Sequence, residues 1–247
     1  MISVALATHN GQRYIRQQIT SILRQLSAED EIIISDDGST DRTIEIIRHI
    51  GSPLIKIVHL TPDTALPLPE RIGRNFGNAL QHCRGEYIFI ADQDDIWLPN
   101  KVERMVEALQ EYDLAVSDSL IMEPHCRCQR SFYGRRSPLR NYLLLGTKYQ
   151  GCCLAMRRRI VEKMLPFPRR MPLYDTYLGL GGELIGRATY IKEPLIIHRQ
   201  HDGNASRSTR NPLHYKISYR IRLLVQIYRR AIKHYVEQLK KGKIWRV

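Results

Sequence analysis

The sequence predicts an α/β protein built on a doubly wound, mostly parallel sheet. In the first half of the chain, short apolar segments alternate with segments whose apolar residues recur every three or four positions, as expected for alternating strands and helices. Several apolar segments end in polar turns, which is where parallel sheets bind ligands. The 247 residues, 43% of them apolar, suffice for one such domain and a smaller appendage.

The elements of the first half are predicted in order along the chain. Residues 2–7 are continuously apolar, as in a strand buried on both faces, and Asn10 is expected to cap the helix that follows. That helix is predicted from apolar residues on one face: Ile15, Ile19, Ile22, Leu23 and Leu26. The same reasoning places strands at 32–35, 55–60 and 87–91, and helices at about 41–50, 72–83 and 101–112.

The second half is less regular. Residues 124–150 are rich in Arg, Ser, Pro and Tyr, and we expect a long functional loop there. Further predicted elements are a strand at 151–156, a helix at 175–185 interrupted by glycines, extended pieces at 188–192 and 195–199, and a basic amphipathic helix at 213–239. We divide the chain into a domain of residues 1–210, with halves 1–123 and 124–210, and a basic helical tail of residues 211–247.

Charge is distributed unevenly along the chain. The formal net charge is +13, but residues 1–123 hold 11 Lys and Arg against 19 Asp and Glu, whereas residues 124–247 hold 27 against 6. The basic second half predicts an anionic partner. Nucleic acid, phosphate-bearing small molecules and anionic lipid all satisfy that prediction.

The cysteines and the N-terminal residues indicate a cytoplasmic protein. Among the five cysteines, Cys126-x-Cys128 beside His125 is a weak zinc candidate, and free thiols are the expected state. The first residues, MISVALATHN, lack the basic region of a signal peptide. No apolar run approaches the ~18 residues that a membrane span requires.

Three carboxylates directly follow the fourth predicted strand. Asp92, Asp94 and Asp95 lie within four residues, and such close like charges repel unless a cation or hydrogen-bond donors neutralise them. Two interpretations remain open from these residues alone: a divalent-ion site that bridges to a diphosphate, or caps for a helix that begins near Pro99. A second acidic turn, residues 36–41, has the composition of a turn and helix cap that can still aim Asp37 into a cleft.

Four motifs in this order resemble the nucleotide-binding half of the inverting family 2 glycosyltransferases, which have a GT-A fold. They are Thr8-His9-Asn10, the turn Ser35-Asp36-Asp37-Gly38-Ser39-Thr40-Asp41, Arg74-Asn75-x-Gly77, and residues 92–99 (DQDDIWLP). The resemblance continues to about residue 204 through Gly151-Cys152-Cys153, Tyr174-Asp175 and residues 190–204. These later motifs are similar to bacterial members that build O-antigen and capsule sugars, among them rhamnosyltransferases.

The resemblance implies a role for each matching residue. Asp175 would be the catalytic base, although from the sequence alone it could equally be a helix cap. A manganese or magnesium ion would be held by Asp94, Asp95 and His201. The nucleotide sugar would be bound by Thr8, His9, Asn10, Asp36, Asp37, Asp92, Gln93 and Asp94, with Arg71 and Arg74 as further candidates. The acceptor would contact Trp97, Tyr174, Gly151 and Cys152. The chain departs from the usual pattern at His198, where relatives usually have Tyr, and at Tyr174, where many have His.

We therefore predict inverting transfer of a sugar from dTDP-rhamnose or a UDP-sugar to a glycan or lipid-linked acceptor in bacterial surface polysaccharide synthesis. One alternative is a sugar nucleotidyltransferase, which characteristically carries a Gly-rich phosphate loop after its first strand, whereas residues 8–13 contain only Gly11. A second is a non-catalytic protein that binds nucleic acid through its basic half. The acidic turns oppose phosphate binding without a metal, and no nucleic-acid-binding motif is visible, so we expect no nucleic acid partner.

The basic tail has two interpretations. Its apolar stripe flanked by Lys and Arg, with Trp245 near the end, suits a helix that docks on the inner face of an anionic membrane. The same stripe also suits packing against the catalytic domain or against a second subunit in a homo-oligomer.

Overall fold

The fold consists of one large sheet with helices packed against it. The computed structural model describes residues 1–122, 128–130, 149–168, 171, 173–201, 204 and 213–240, without the side chains of 128–130 and 213–216. The strands are β1 (Ile2–Thr8), β2 (Glu31–Asp36), β3 (Ile55–His59), β4 (Tyr87–Asp92), β5 (Ile96–Trp97), β6 (Leu114–Met122), β7 (Cys128–Arg130), β8 (Leu154–Arg157) and β9 (Ala188–Arg199). The helices are α1 (Ile15–Leu23), α2 (Thr43–Ile50), α3 (Leu68–His82), α4 (Lys101–Glu111), α5 (Arg158–Met164), α6 (Tyr174–Ile185) and α7 (Leu213–Lys240).

The sheet confirms the predicted α/β class but is parallel only in part. Its strand order is β3-β2-β1-β4-β8-β6-β9-β5, with β7 paired to β6. The β3-β2-β1-β4 part is parallel, as predicted. Beyond β4 the pairings are antiparallel except between β6 and β9. The sheet of the described residues is therefore mixed, because β8 runs against β4 and reverses the direction of the sheet.

The parallel strands bring the polar turns of the sequence to one edge. Thr8 lies opposite Asp36 on β2, and Ala7 lies opposite Asp92 on β4. The middles of β1, β2 and β4 are buried on both faces, which explains their continuous apolar runs, whereas Lys56 of the edge strand β3 is exposed. The ends of β1, β2 and β4 therefore meet at the sheet edge, as the sequence predicts.

The prediction that Asn10 caps the first helix is wrong. Helix α1 begins at Ile15, with Tyr14 at the N-cap position. Asn10 instead adopts a φ of 50° and accepts a hydrogen bond from the backbone N–H of Thr40 at 2.8 Å. Its side chain thus joins the loops after β1 and β2.

The second half differs most from the predictions. Strands β5 and β6, which end the first half, and strand β7 and helix α5 of the second half were not predicted. Gly151–Cys153 forms a 3-10 turn before β8 rather than part of a strand, and β9 is one strand with an irregular register rather than two pieces. Helix α6 is continuous through its glycines, and Gly179 and Gly181 leave room for the side chains of Tyr149 and Met164.

The C-terminal helix packs on the domain with one face only. Leu223, Ile227 and Ala231 of α7 are buried against the domain, and Arg230 donates a hydrogen bond to the carbonyl of Leu165 at 3.0 Å. Packing against the catalytic domain is thus confirmed for this face. No helix in the described ranges combines the length and hydropathy that a membrane span needs.

Some predictions lie outside the described residues. These are the weak zinc candidate (His125, Cys126 and the Cys128 side chain), most of the expected loop at 124–150, and Trp245. The domain boundaries stay predictions.

Glu31 ties together the starts of the three strands that carry the polar turns. Its carboxylate accepts hydrogen bonds from Ser3 Oγ at 2.6 Å and from the backbone N–H of Arg84 at 2.8 Å, and it forms an ion pair with the Arg84 guanidinium at 3.0 Å. Ser3 lies on β1, Glu31 begins β2, and Arg84 precedes β4. The Glu31 side chain is nearly fully buried, so these bonds help to hold the strands in register.

We predict that Glu31→Ala lowers the free energy of unfolding by about 2–4 kcal/mol, because it leaves the buried Ser3 hydroxyl without its acceptor and removes the charged partner of the Arg84 backbone N–H and guanidinium. Urea denaturation measures the change. Glu29→Ala, at an exposed position of the same loop, is the control and should shift it by less than ~0.5 kcal/mol. Equal stability of the two variants would contradict this role.

Candidate active site

The loop after β1 is held by the side chain of Gln93. Gln93 Oε1 accepts hydrogen bonds from Thr8 Oγ1 at 2.6 Å and from the backbone N–H of His9 at 2.9 Å, and Gln93 Nε2 donates to the His9 carbonyl at 3.1 Å. A Cβ atom at Gly11 would collide with the same amide. The structure thus places Gln93, predicted to bind the donor, as a clamp that fixes the loop carrying Thr8 and His9.

The two acids of the second turn have different partners. The Asp36 carboxylate accepts hydrogen bonds from the Ser39 backbone N–H at 2.9 Å and from Ser39 Oγ, closing a turn in which Gly38 has a φ of 73°. Asp37 instead forms an ion pair with Arg71 of α3, with 2.6 Å between Arg71 Nη2 and Asp37 Oδ2. Asp36 therefore builds the turn, and Asp37 with Arg71 forms a charged pair at the sheet edge.

Arg74, the other predicted arginine, faces elsewhere. It is exposed and donates a hydrogen bond to the carbonyl of Thr61 at 2.9 Å. It also lines a cavity of about 470 Å³ beside α3, whose lining includes Glu70, Asn78 and Phe167 but none of the three carboxylates after β4. Arg74 therefore does not take part in the ion pair of Asp37 and Arg71, although it lies one turn after Arg71 on α3.

The carboxylates of Asp92, Asp94 and Asp95 lie together at the end of β4, where Asp94 and Asp95 are buried and Asp92 is half-buried. Burial, with the neighbouring charges of Asp95 and Asp94, raises the pKa of Asp92 well above its usual value, and burial with the charge of Asp95 raises the pKa of Asp94. Asp94 Oδ2 contacts His201 Nε2 at 2.8 Å. The cluster thus concentrates negative charge that needs positive partners.

Asp95 belongs to a second pair, with His198. Asp95 is fully buried, and its Oδ1 contacts His198 Nδ1 at 2.9 Å. Burial opposes protonation of His198, but its hydrogen bond to Asp95 and the surrounding acids raise its pKa to about 9. One ligand atom each from Asp95, His198 and Cys152 lie within 4.8 Å of one another. The sequence analysis assigned Cys152 to the acceptor and noted His198 only as a departure from relatives.

The acids of this cluster fit a hard divalent cation. Asp95 Oδ2 is buried and has no hydrogen-bond partner among the described residues, so it is available as a ligand. Oxygen donors from carboxylates suit magnesium and manganese. Cys152 suits them less, because its hydrogen bond with Cys153 and its burial raise the pKa of the thiol well above normal and keep it protonated. Asp94, Asp95 and a nearby imidazole therefore form the donor set that fits best.

Asp175 lies in the first turn of α6 and is not its N-cap, a position held by Leu173. The backbone N–H of Thr176 donates to its carboxylate at 2.6 Å. Burial raises the pKa of Asp175 to about 6, even though the hydrogen bonds from Thr176 oppose that rise. Asp175 is also near enough to Asp92 for its charge to contribute to the raised pKa of Asp92. A carboxylate of this kind can accept a proton near neutral pH.

The residues predicted to bind the acceptor lie beneath the site. Tyr174 is 7% exposed and stacks on Phe76 with 4.0 Å between ring centroids, and its hydroxyl occupies the space where Gly151 would carry a Cβ. Cys152 and Trp97 are buried as well. These residues form the base of the site rather than an exposed acceptor surface, and their contact with the acceptor stays a prediction.

The sequence analysis missed several residues that support the site. Lys101 is fully buried, with its Nζ 3.0 Å from the carbonyl of Cys152 and 5.3 Å from the centre of the Trp97 ring. Asn75 donates to the carbonyl of Thr8 at 3.0 Å, and Tyr14 stacks on His201. Asn75 belongs to the motif Arg74-Asn75-x-Gly77, so the sequence did point to it. Nothing in the sequence indicated that Lys101 is buried.

Comparison with known proteins identifies the family of this chain. The family described as "Glycosyl transferase family 2" matches residues 3–165, more than half of the sequence. The chain belongs to this family. Fold and family thus agree with the resemblance seen in the sequence motifs.

Individual glycosyltransferases are also similar to this chain. The dTDP-rhamnosyl transferase RfbG of Shigella flexneri is 23% identical over 211 residues, which cover 81% of this chain and 72% of that protein. The crystal structure of S. aureus TarS 1-349 in complex with UDP-GlcNAc has a TM-score of 0.68 at 17% identity and covers 94% of this chain and 72% of TarS. The mannosyltransferase PcManGT from Pyrobaculum calidifontis, in complex with GDP-Man and Mn²⁺, has a TM-score of 0.59 at 19% identity and covers 94% and 64% of the two chains.

These likenesses establish a GT-A fold for the chain. The chain spans 33% to 72% of the length of the curated relatives that it matches.

The clamp role of Gln93 predicts an effect on stability. Gln93→Ala should lower the free energy of unfolding by about 1–3 kcal/mol, because it removes the partners of Thr8 and His9. Gln110→Ala, at an exposed position of α4, is the control and should change it little. Urea denaturation without nucleotide measures both. If Gln93→Ala weakened nucleotide binding while stability stayed unchanged, Gln93 would be a donor contact and not a clamp.

Proposed function

We propose that the protein transfers a sugar, with inversion, from a nucleoside diphosphate sugar to a hydroxyl group of an acceptor. One observation carries this proposal: the buried acids after β4 lie close to Asp175 in a family 2 glycosyltransferase fold. The acids would hold a metal ion that neutralises the diphosphate of the donor, and Asp175 would be the base that deprotonates the acceptor hydroxyl. A sugar nucleotidyltransferase and a nucleic-acid-binding protein explain neither the family match nor this pairing of acids with a base.

The donor in this proposal is dTDP-rhamnose or a UDP-sugar. RfbG is named a dTDP-rhamnosyl transferase, and the TarS structure holds UDP-GlcNAc, so pyrimidine nucleotides are found in similar proteins. Asp37, paired with Arg71 beside Thr8, would hold the pyrimidine base and ribose. This role is consistent with a rigid loop, because Gln93 and Asn75 hold the loop of Thr8 in place.

In the proposed reaction, Asp94 and Asp95 with His201 would hold a manganese or magnesium ion that neutralises the diphosphate. When bound, such an ion would stabilise the negative charge of the departing nucleoside diphosphate as a Lewis acid. His201 already contacts Asp94, and its ring stacks on Tyr14 at 4.7 Å between centroids, which fixes its orientation. The Arg199 backbone N–H donates to Asp95 at 3.2 Å and helps to orient that carboxylate.

Asp175 is the proposed base. It would accept the proton of the acceptor hydroxyl while the hydroxyl oxygen attacks the anomeric carbon from the face opposite the departing nucleotide. With a pKa of about 6, the carboxylate is ionised at neutral pH and more basic than a solvated aspartate. Its place in the first turn of α6 keeps it on a rigid element.

The acceptor in this proposal is a glycan or a lipid-linked saccharide used in bacterial surface polysaccharide synthesis. Such lipid-linked acceptors lie at the inner face of the cytoplasmic membrane, so a cytoplasmic enzyme that reaches this face is part of the proposal. Assembly into a homo-oligomer stays a prediction.

The base role predicts a specific kinetic loss. Asp175→Asn should lower turnover by ~10²–10⁴-fold and leave donor affinity within a few-fold, because the base contributes only to the transition state. Turnover of the wild type should fall about tenfold per pH unit below its pKa of about 6 and level off above it, because only the ionised carboxylate accepts a proton. Calorimetric titration with the nucleotide sugar and a coupled activity assay separate the two effects. The control is Glu111→Gln on the surface, and an undiminished rate for Asp175→Asn would exclude the base role.

The proposed metal site predicts a loss of nucleotide binding that can be measured without an activity assay. Manganese with UDP or dTDP should raise the melting temperature of the wild type, since ligands that bind only the native state stabilise it. Asp94→Asn and Asp95→Asn should abolish most of that rise, and EDTA should abolish it in the wild type. Glu103→Gln, an exposed acid of α4, should behave as the wild type. A full rise in the presence of EDTA would refute a role for the metal in nucleotide binding.

A further inference from the structure

Helix α7 carries a second apolar face, which points away from the domain. Seven large apolar side chains on this face are between 42% and 60% exposed: Ile221, Val225, Tyr228, Ile232, Tyr235, Val236 and Leu239. Most are spaced by four and three residues in turn, so they form one continuous stripe on the helix surface. At ~1.5 Å per residue, the stripe runs for roughly 27 Å. A contiguous exposed apolar surface of this kind indicates an interaction site.

A row of cations borders the stripe on one side. Arg222, Arg229, Lys233 and Lys240 are all exposed, and at about 100° per residue they fall on the flank of the stripe that lies away from the buried face of α7. The sequence of α7 contains a single acidic residue, Glu237. The face therefore combines an apolar stripe with a one-sided excess of positive charge.

We propose that this face of α7 docks the protein on a bilayer that contains anionic phospholipid. The apolar side chains would enter the boundary between head groups and acyl chains, and the cations would contact the phosphates. Tyr228 suits this boundary, because a tyrosine ring has an apolar body and a polar end. The inference rests on the proposed function, in which the acceptor is lipid-linked.

Charge decides between a membrane and a second copy of the chain. Two copies of α7 that paired through their stripes would bring two basic helices together with only Glu237 on each for compensation, and like charges at an interface oppose association. An anionic bilayer instead supplies negative charge along the whole basic row.

The packing of α7 links the docking face to the site. The buried face of α7 packs on α6, and α6 carries Asp175 in its first turn. Tyr235, at the edge of the stripe, donates a hydrogen bond to the carbonyl of Leu184 near the end of α6 at 3.0 Å. A bilayer bound by α7 would thus be held in a fixed relation to the proposed base.

Vesicle co-sedimentation of the full chain tests the proposal. We expect the wild type to bind vesicles of 30% phosphatidylglycerol in phosphatidylcholine at least tenfold more tightly than vesicles of phosphatidylcholine alone. A variant with Arg222, Arg229, Lys233 and Lys240 changed to Gln, and the variant Ile232→Asp, should each lose at least tenfold in affinity. The matched control changes four exposed cations of the first half, Arg16, Arg24, Arg48 and Lys56, to Gln and should stay within twofold of the wild type.

Three outcomes would overturn the proposal. They are a wild type that ignores anionic vesicles at low salt, a control variant that loses as much affinity as the α7 variant, and a dimer in sedimentation equilibrium that Ile232→Asp converts to a monomer. The last would assign the stripe to a second copy. Melting temperatures measured with manganese and UDP, without vesicles, should be equal in all variants. If manganese and UDP raised the melting temperature of neither the wild type nor any variant, the proposed function would be refuted, and the result of the vesicle experiment would still stand.

Discussion

The close approach of the carboxylates of Asp92, Asp94 and Asp95 at the end of β4, with Asp94 and Asp95 buried, is the constraint on which the site depends. Such a cluster is unfavourable unless positive charge and donors surround it, and the structure supplies them from distant parts of the chain. His201 contacts Asp94, and His198 and a backbone N–H of β9 contact Asp95. Lys101 adds a buried ammonium group whose electrostatic interaction with Asp95 favours its charged form, although burial lowers the pKa of Lys101. Asp95 Oδ2, which has no hydrogen-bond partner among the described residues, is where the proposed metal ion would complete this compensation.

Rigid loops keep this charge cluster beside the nucleotide-binding edge. Gln93 lies between Asp92 and Asp94, and its amide binds the loop after β1, so the acidic turn and that loop cannot move independently. Asn10 joins the loop after β1 to the one after β2. Gln93 is therefore as important to the geometry of the site as the acids on either side of it. Such fixed geometry lets a site stabilise charge without reorganising during the reaction.

The first half of the fold was predictable because its signals are local. Apolar runs marked β1, β2, β3 and β4, and the polar residues after them marked the binding edge. Strand β6 escaped because Ser117, Asp118 and Ser119 follow only three apolar residues, yet all three polar residues are buried. The contact between Asp95 and His198 joins positions 103 apart in sequence, so periodicity carried no sign of it. Lys101 likewise had the sequence of an ordinary exposed helix start, and only the fold over it makes it buried.

The pKa of Asp175 shows how the second half contributes to chemistry. Two effects compete at this residue: the amide of Thr176 and the positive end of the α6 dipole favour the ionised form, whereas burial disfavours it. Burial prevails, because α6 is enclosed by the domain and its glycines allow neighbouring side chains to approach closely. A more exposed carboxylate would be a weaker base, and one buried without the Thr176 amide would have a still higher pKa. The balance leaves Asp175 ionised and able to accept a proton, so the packing of α6 is itself part of the proposed catalytic site.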